Sequence, residues 1–367
     1  MSARPGPLRS EEALVSSIET SIDPLEREWE ELAERTGASP FLRPAWMRLW
    51  WQAFGAGKLE IIVVRRAGGL VGVASLERKW GALQGLANWH TPEFGILAED
   101  SVVTRALAQV FIAHAGWRGT LSFVDSTQPE LRELRLAADQ RGYSSFQRTL
   151  ERSPYLEIEG DWDSYWRSRS RNLRRGLERQ LRRLDEEGVL SVEVYDGRDR
   201  LDERLAECFQ VEAAGWKAAR RTAISSRAET HRFYRDVARW AADRGWLRLI
   251  FIRLDGRALA GQIALEHDGI LYTLKGGYDP AYARFSPGNL LLRATLEHAF
   301  SAGLSRCELL GDAETYKLAW TRNCRNMIAL HVLGPSVLGW LAWSTLTYGR
   351  PLAKRANLDS VVNRFRR

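Results

Sequence analysis

Two stretches of this chain hold residue types that can do chemistry together. The first is Gly276–Asn289, GGYDPAYARFSPGN. Ser286-Pro-Gly288 precedes a patterned apolar run, Leu290, Leu291, Ala294, Leu296 and Phe300, so a helix starts there. Pro287 suits a first helical turn, and Gly288 lets a ligand approach the backbone closely. Unpaired N–H groups and the positive dipole end at a helix start attract anions. Arg284 adds a cation, and a pyrophosphate is the group such a loop holds well. The same letters also read as an ordinary helix entry with Ser286 as N-cap. Local chemistry leaves both readings open.

The second stretch is Leu309–Trp320, LLGDAETYKLAW. A strand ends at Gly311-Asp312, and ligands gather beyond the C-terminal ends of strands in open α/β sheets. Asp312 is placed either as an N-cap or to orient an amine and accept its proton. Tyr316 and Lys317 follow, and Tyr316 shares a helix face with Trp320. Lysine is scarce here: six of the 53 basic residues. A compact ammonium among arginines suits stabilisation of the oxyanion formed in acyl transfer.

The elements that must position these segments follow from periodicity. In the first half, helices are expected over Pro24–Arg35, Pro44–Phe54, Val102–Ala115 and Pro129–Arg141. Strands are expected over Leu59–Arg65, Leu70–Glu77, Gly85–Trp89, Leu121–Val124, Ser144–Leu150 and an edge segment at Tyr155–Ile158. The second half opens with one helix, Trp162–Glu187, then strand Leu190–Tyr195 and helices Leu201–Trp216 and Ala228–Arg244. A hairpin turning at Asp255-Gly256 joins Leu247–Leu254 to Ala258–Glu266. Then come strand Ile270–Lys275, helix Gly288–Ala302, strand Arg306–Leu310, a short helix Glu314–Thr321 and a last strand, Met327–Leu333. Both halves thus repeat an order of elements, not of letters.

The run His231–Trp320 resembles the BioF2-like (CelD-like) acetyltransferases of the GNAT superfamily. The resemblance is carried by Phe233-Tyr234, Trp240–Trp246, Leu254–Arg257, Tyr278–Tyr282, Ser286–Gly288, Gly311-Asp312 and Tyr316-Lys317 with Trp320. Arg169–Arg175 and Trp216-Lys217 extend it; Phe41–Trp46 and Trp50-Trp51 carry it more loosely into the first half. It implies an α+β fold of two tandem GNAT domains, each a mixed, mostly antiparallel sheet flanked by helices. The boundaries expected are 1–158 for a substrate-side or degenerate domain, 159–335 for the acetyltransferase domain, and 336–367 for a helical basic tail. It also implies acetyl-CoA or another acyl-CoA as donor, held by Tyr278, Arg284, Ser286, Pro287, Gly288 and Asn289. Asp312, Tyr316 and Lys317 are then the candidate catalytic residues, and Trp216 and Lys217 the acceptor-side candidates. The acceptor is an amine or hydroxyl of a small molecule or of a glycan precursor for surface polysaccharide. The GNAT phosphate pattern is only partly present, since Arg284 and Gly288 lack the usual second small residue. Fem-type relatives, also tandem GNAT proteins, use aminoacyl-tRNA and carry an aromatic-lysine pair like Tyr316-Lys317. A tRNA-dependent transferase is therefore the alternative enzyme, and a non-catalytic, membrane-peripheral scaffold in polysaccharide synthesis is the alternative outside enzymology.

Composition bounds these readings. The chain has 367 residues, 45% hydrophobic and 27% charged, with a formal net charge of +7. That length suits two domains, and the charge favours anionic partners. Eight arginines crowd Arg167–Arg183, as a phosphate clamp or as a solvated face. The three cysteines, Cys208, Cys307 and Cys324, are scattered, which argues against a disulfide framework or a structural zinc site and for a reducing cytoplasm. The six histidines lack metal-ligand spacing, so no metal is expected. Fifteen tryptophans point mostly to packing. Glu93 is a candidate to face the cleft between halves. Val337–Tyr348 is too short to span a bilayer, which takes about 20 residues. Followed by Arg350, Lys354 and Arg355, it reads as an interfacial helix at the inner face of the membrane or as a docked helix with a basic tail.

Overall fold

A computed structural model describes residues 13–214 and 224–344. The first half carries β1 (Leu14–Glu19), α1 (Glu26–Arg35), α2 (Pro44–Phe54), β2 (Lys58–Arg66), β3 (Gly69–Lys79), β4 (Ala82–Gly85), β5 (Leu97–Ala98), α3 (Ser101–His114), β6 (Arg118–Asp125), α4 (Glu130–Gln140) and β7 (Ser144–Glu157). The second carries α5 (Trp162–Ser168), α6 (Arg171–Asp185), β8 (Leu190–Tyr195), α7 (Leu201–Ala213), α8 (Ala228–Asp243), β9 (Leu247–Leu254), β10 (Arg257–His267), β11 (Ile270–Tyr278), α9 (Pro287–Ser301), β12 (Arg306–Glu308), α10 (Thr315–Leu318), β13 (Cys324–Leu333) and α11 (Val337–Ser344).

Local chemistry explains most boundaries. Pro44 opens α2 at its first turn. Asp100 caps α3 by accepting the N–H groups of Val102 and Val103, both at 2.9 Å. Asp255-Gly256 and Asp268-Gly269 take positive φ at both turn positions and join β9 to β10 and β10 to β11. The single helix expected over Trp162–Glu187 is two. It breaks at Arg169-Ser170, where the Ser170 hydroxyl accepts the Leu173 N–H and starts α6. β11 also outruns its expected end by three residues. Gly276-Gly277, which read as loop, stay in the strand because α7 packs against them. A Cβ on Gly277 would sit 2.5 Å from the Glu212 Cα.

The strands form one mixed sheet, ordered β1-β2-β3-β4-β6-β13-β7-β12-β11-β10-β9-β8, with β5 on β3. Most pairs are antiparallel; β4–β6 and β11–β12 are parallel. Two exchanges make the sheet continuous. β13, which chain order assigns to the second half, lies between β6 and β7 of the first. β7 then runs past β13 and pairs Tyr155–Glu157 with β12. The segment Tyr155–Ile158, expected at an edge, therefore belongs to an interior strand.

Side chains tie the halves as firmly as the strands do. Trp46 of α2 meets Phe233 of α8 edge-on at 5.2 Å, and Phe41 meets Tyr272 of β11 at 5.1 Å. Arg43 is almost fully buried, pairs with Glu30 and hydrogen-bonds the His267 ring at 3.1 Å. Such a buried charge persists only because its partners are in place.

Candidate active site

The parallel pairing of β11 with β12 covers only Ile270–Tyr272 against Arg306–Glu308. Past that point the strands part. β11 continues to Tyr278, while Leu310 and Gly311, at φ +48° and +65°, turn the other chain away. The opening is a cavity of about 640 Å³. Thr273–Tyr278 form one wall, and Leu309–Gly311 with Tyr316 and Lys317 form the other. Ser286, Gly288 and Asn289 reach it from the start of α9, and Glu212 from α7. The volume falls in the usual range of small-molecule pockets, about 300–1,000 Å³.

Three features aim polar groups inward. β11 bulges at Leu274: Ile263 faces Lys275 but Ala264 faces Thr273, so Leu274 is the extra residue. A bulged residue sits outside the ladder and re-aims its backbone. At the start of α9, Ser286 is left-handed at φ 52° and ψ 50°, and its side chain makes no cap hydrogen bond. The N-cap reading of its hydroxyl is thereby corrected: a left-handed residue turns its side chain off the first-turn N–H groups. Among the described residues, the buried Asn289 Oδ1 has no hydrogen-bond partner. A Cβ on Gly288 would lie 3.4 Å from the Tyr278 ring, so the glycine keeps that corner open.

The catalytic candidates divide. Lys317 lines the cavity, but its ammonium already meets three acceptors: the Leu310 carbonyl at 2.7 Å, the Asp312 carbonyl at 3.3 Å and the Glu314 carboxylate at 3.3 Å. Burial lowers its pKa, against the pull of Glu314. Tyr316 lines the cavity half-exposed, and partial burial with Glu314 beside it raises its phenol. Asp312 stands outside the lining. Its Oδ1 accepts the N–H groups of Arg152 at 3.1 Å and Ala313 at 2.9 Å, fastening the turn to β7. Arg284 is also turned away, paired with Glu187 at 2.8 Å, and Pro287 is buried in the first turn of α9. Trp216 and Lys217 lie outside the described residues.

Sequence reading missed Leu274, Glu212 and Lys275. The bulge has no letter signature, and Glu212 sits on a helix whose arrival at β11 is a tertiary event. Glu93 lies among acids, with Asp125 and Glu130 acting on it, and burial pushes its carboxyl up despite Arg325. No group of His, Cys, Asp and Glu able to hold a metal occurs among the described residues.

The comparisons fit this geometry. Residues 171–318 match the family model of the acetyltransferase (GNAT) domain. FemX shares 13% identity at a TM-score of 0.56, over 84% of this chain and 95% of that one. The C-terminal domain of a protein named as a lysylphosphatidylglycerol synthetase, from Agrobacterium fabrum, shares 13% at 0.53, over 86% and 96%. A conserved protein of unknown function from Bacteroides thetaiotaomicron shares 9% at 0.54, over 87% and 100%. No curated protein matches significantly. The matched domain is that of an acyltransferase, and the fold around it is shared with FemX. Residues 171–318 belong to the acetyltransferase (GNAT) domain family, and the likeness of the chain to FemX is one of fold.

Proposed function

We propose that the protein transfers an acyl group from acyl-CoA to an amine or hydroxyl acceptor, with the donor lying in the opening between β11 and β12. The observation that carries this reading is the parting of the strands itself. It presents the edge of β11, a bulge and a helix start along one cavity. An extended amide-containing arm can pair with the β11 edge as an added strand does. Its pyrophosphate meets the first turn of α9, where Gly288 admits it and the Asn289 amide lies within the wall.

The thioester carbonyl then lies by Leu274. The bulge N–H gives the developing oxyanion a hydrogen bond, and the Lys317 ammonium, held by Leu310, Asp312 and Glu314, contributes charge from the facing wall. The acceptor attacks the carbonyl carbon, the C–S bond breaks, the Tyr316 phenol protonates the departing thiolate, and the proton released by the acceptor nitrogen or oxygen passes through water to restore the phenol. Asp312 acts here as a positioning residue rather than as the base, since its carboxylate is committed to two backbone N–H groups. Calorimetry with acetyl-CoA on the wild type and Gly288→Glu tests the donor site.

One observation keeps the tRNA-dependent reading in view. Arg171, Arg175, Arg179 and Arg183 recur every four residues on the exposed face of α6, and α6 packs beside Pro280–Phe285 at the cavity mouth. That stripe suits a nucleic-acid backbone. Retention of tRNA at physiological salt without any heat from CoA esters selects it.

A further inference from the structure

Away from the cavity, large apolar side chains crowd the turn at Gly116-Trp117. Trp80 is 87% exposed and Trp340 of α11 is 64% exposed, with Val337, Leu338 and Leu341 exposed beside it. Hydrogen bonds and backbone packing bring them together. The Trp117 Nε1–H donates to the Trp80 carbonyl at 3.0 Å, and the Gly334 N–H donates to the Trp117 carbonyl at 3.0 Å. Gly339 of α11 packs directly on the Gly334 carbonyl. Two cations lie over the indoles: Lys79 at 5.0 Å from the Trp80 ring and Arg118 at 4.8 Å from the Trp117 ring. A groove of about 660 Å³ runs between Gly142 and Trp340 through Leu333–Val337.

From this convergence we infer that the face around Trp80, Trp117 and Trp340 docks peripherally on an anionic lipid bilayer. Indole rings settle at the boundary between headgroups and acyl chains, and neighbouring basic side chains meet anionic lipid. Charge complementarity selects this occupant. Lys79 and Arg118, set over the Trp80 and Trp117 rings, supply the positive charge of this face. Among the described residues no helix is long and apolar enough to cross a membrane, so the contact is one of surface and not of span. It is independent of how the cavity is read.

The test is co-sedimentation of the full chain with vesicles of phosphatidylcholine, with and without phosphatidylglycerol. The wild type sediments with the phosphatidylglycerol vesicles and stays in the supernatant with phosphatidylcholine alone. The double variant Trp80→Ser with Trp340→Ser, both exposed positions, keeps the wild-type melting temperature and loses about tenfold in vesicle partition. Several results overturn the inference. One is no sedimentation of the wild type at low salt, whether or not the double variant changes the oligomeric state and so points to a second copy. Another is equal binding to both lipids. A third is wild-type partition of the double variant, with binding lost only on removal of residues 345–367 or on charge reversal at Arg175 and Arg179.

Discussion

At the scale of single residues, Lys317 separates two kinds of cation. It is buried and bound by two carbonyls and a carboxylate, so it can act only as a fixed charge. Lys317→Met is expected to lower kcat about 10–100-fold with little change in KM for the donor, and Lys317→Arg not to restore it, because a planar fork does not fit a site built for a point charge. Equal activity of Lys317→Arg and wild type contradicts the assignment. Gly311 is coupled to this lysine: its φ is +65°, and a Cβ there would lie 3.3 Å from the Nζ. Gly311→Ala is expected to cost about 1 kcal/mol of stability and to reduce kcat, as read by urea melts and steady-state rates. The types at 311, 316 and 317 were legible as chemistry because lysine is scarce in this chain. The positions of Asp312 and Arg284 were not, since each is set by a partner distant in sequence, Arg152 and Glu187.

Element by element, periodicity and turn chemistry gave the helices and most strands, but they missed β1 and the two-residue β5 and placed at Gly85–Trp89 a strand that is Ala82–Gly85. They also misjudged where an element stops when a neighbour decides. β11 extends through two glycines because α7 lies against them, and the helix before β8 breaks at a serine cap. The start of α4 offers a further test. Glu130 is buried there, with its pKa raised from 4.5 to about 7, chiefly by desolvation and further by Glu93 and Asp125. The folded chain therefore retains a proton that the unfolded chain has released. Stability falls as pH rises from about 4.5 to about 7 and levels off above. Glu130→Gln is expected to remove that slope, adding about 3 kcal/mol at pH 8 and almost nothing near pH 4.5. Parallel pH profiles for the two proteins in thermal melts would contradict the burial argument.

The whole molecule is where sequence order was least informative. Repetition of elements correctly indicated two halves, but pairing is not written in chain order, and the halves exchange strands. β13 fills the gap between β6 and β7, and β7 carries the sheet across to β12. A fragment of residues 13–158 lacks β13 and leaves the facing edges of β6 and β7 unpaired, so it is expected to aggregate. The intact chain is expected to unfold in one cooperative transition, because the halves share both sheet and core. Two resolved transitions in a calorimetric scan would contradict that continuity. The same continuity fixes the cavity, since β12, one of the two strands that part there, is paired on its other side with β7.

The central claim is that this opening holds a CoA thioester. Isothermal titration of acetyl-CoA and longer acyl-CoAs into the wild type and Gly288→Glu addresses it directly. The account predicts saturable heat with the wild type and its loss in the variant, whose carboxylate occupies the corner beside Tyr278 and repels the pyrophosphate. Absence of binding by any CoA ester to the wild type, or undiminished binding by Gly288→Glu, would contradict it.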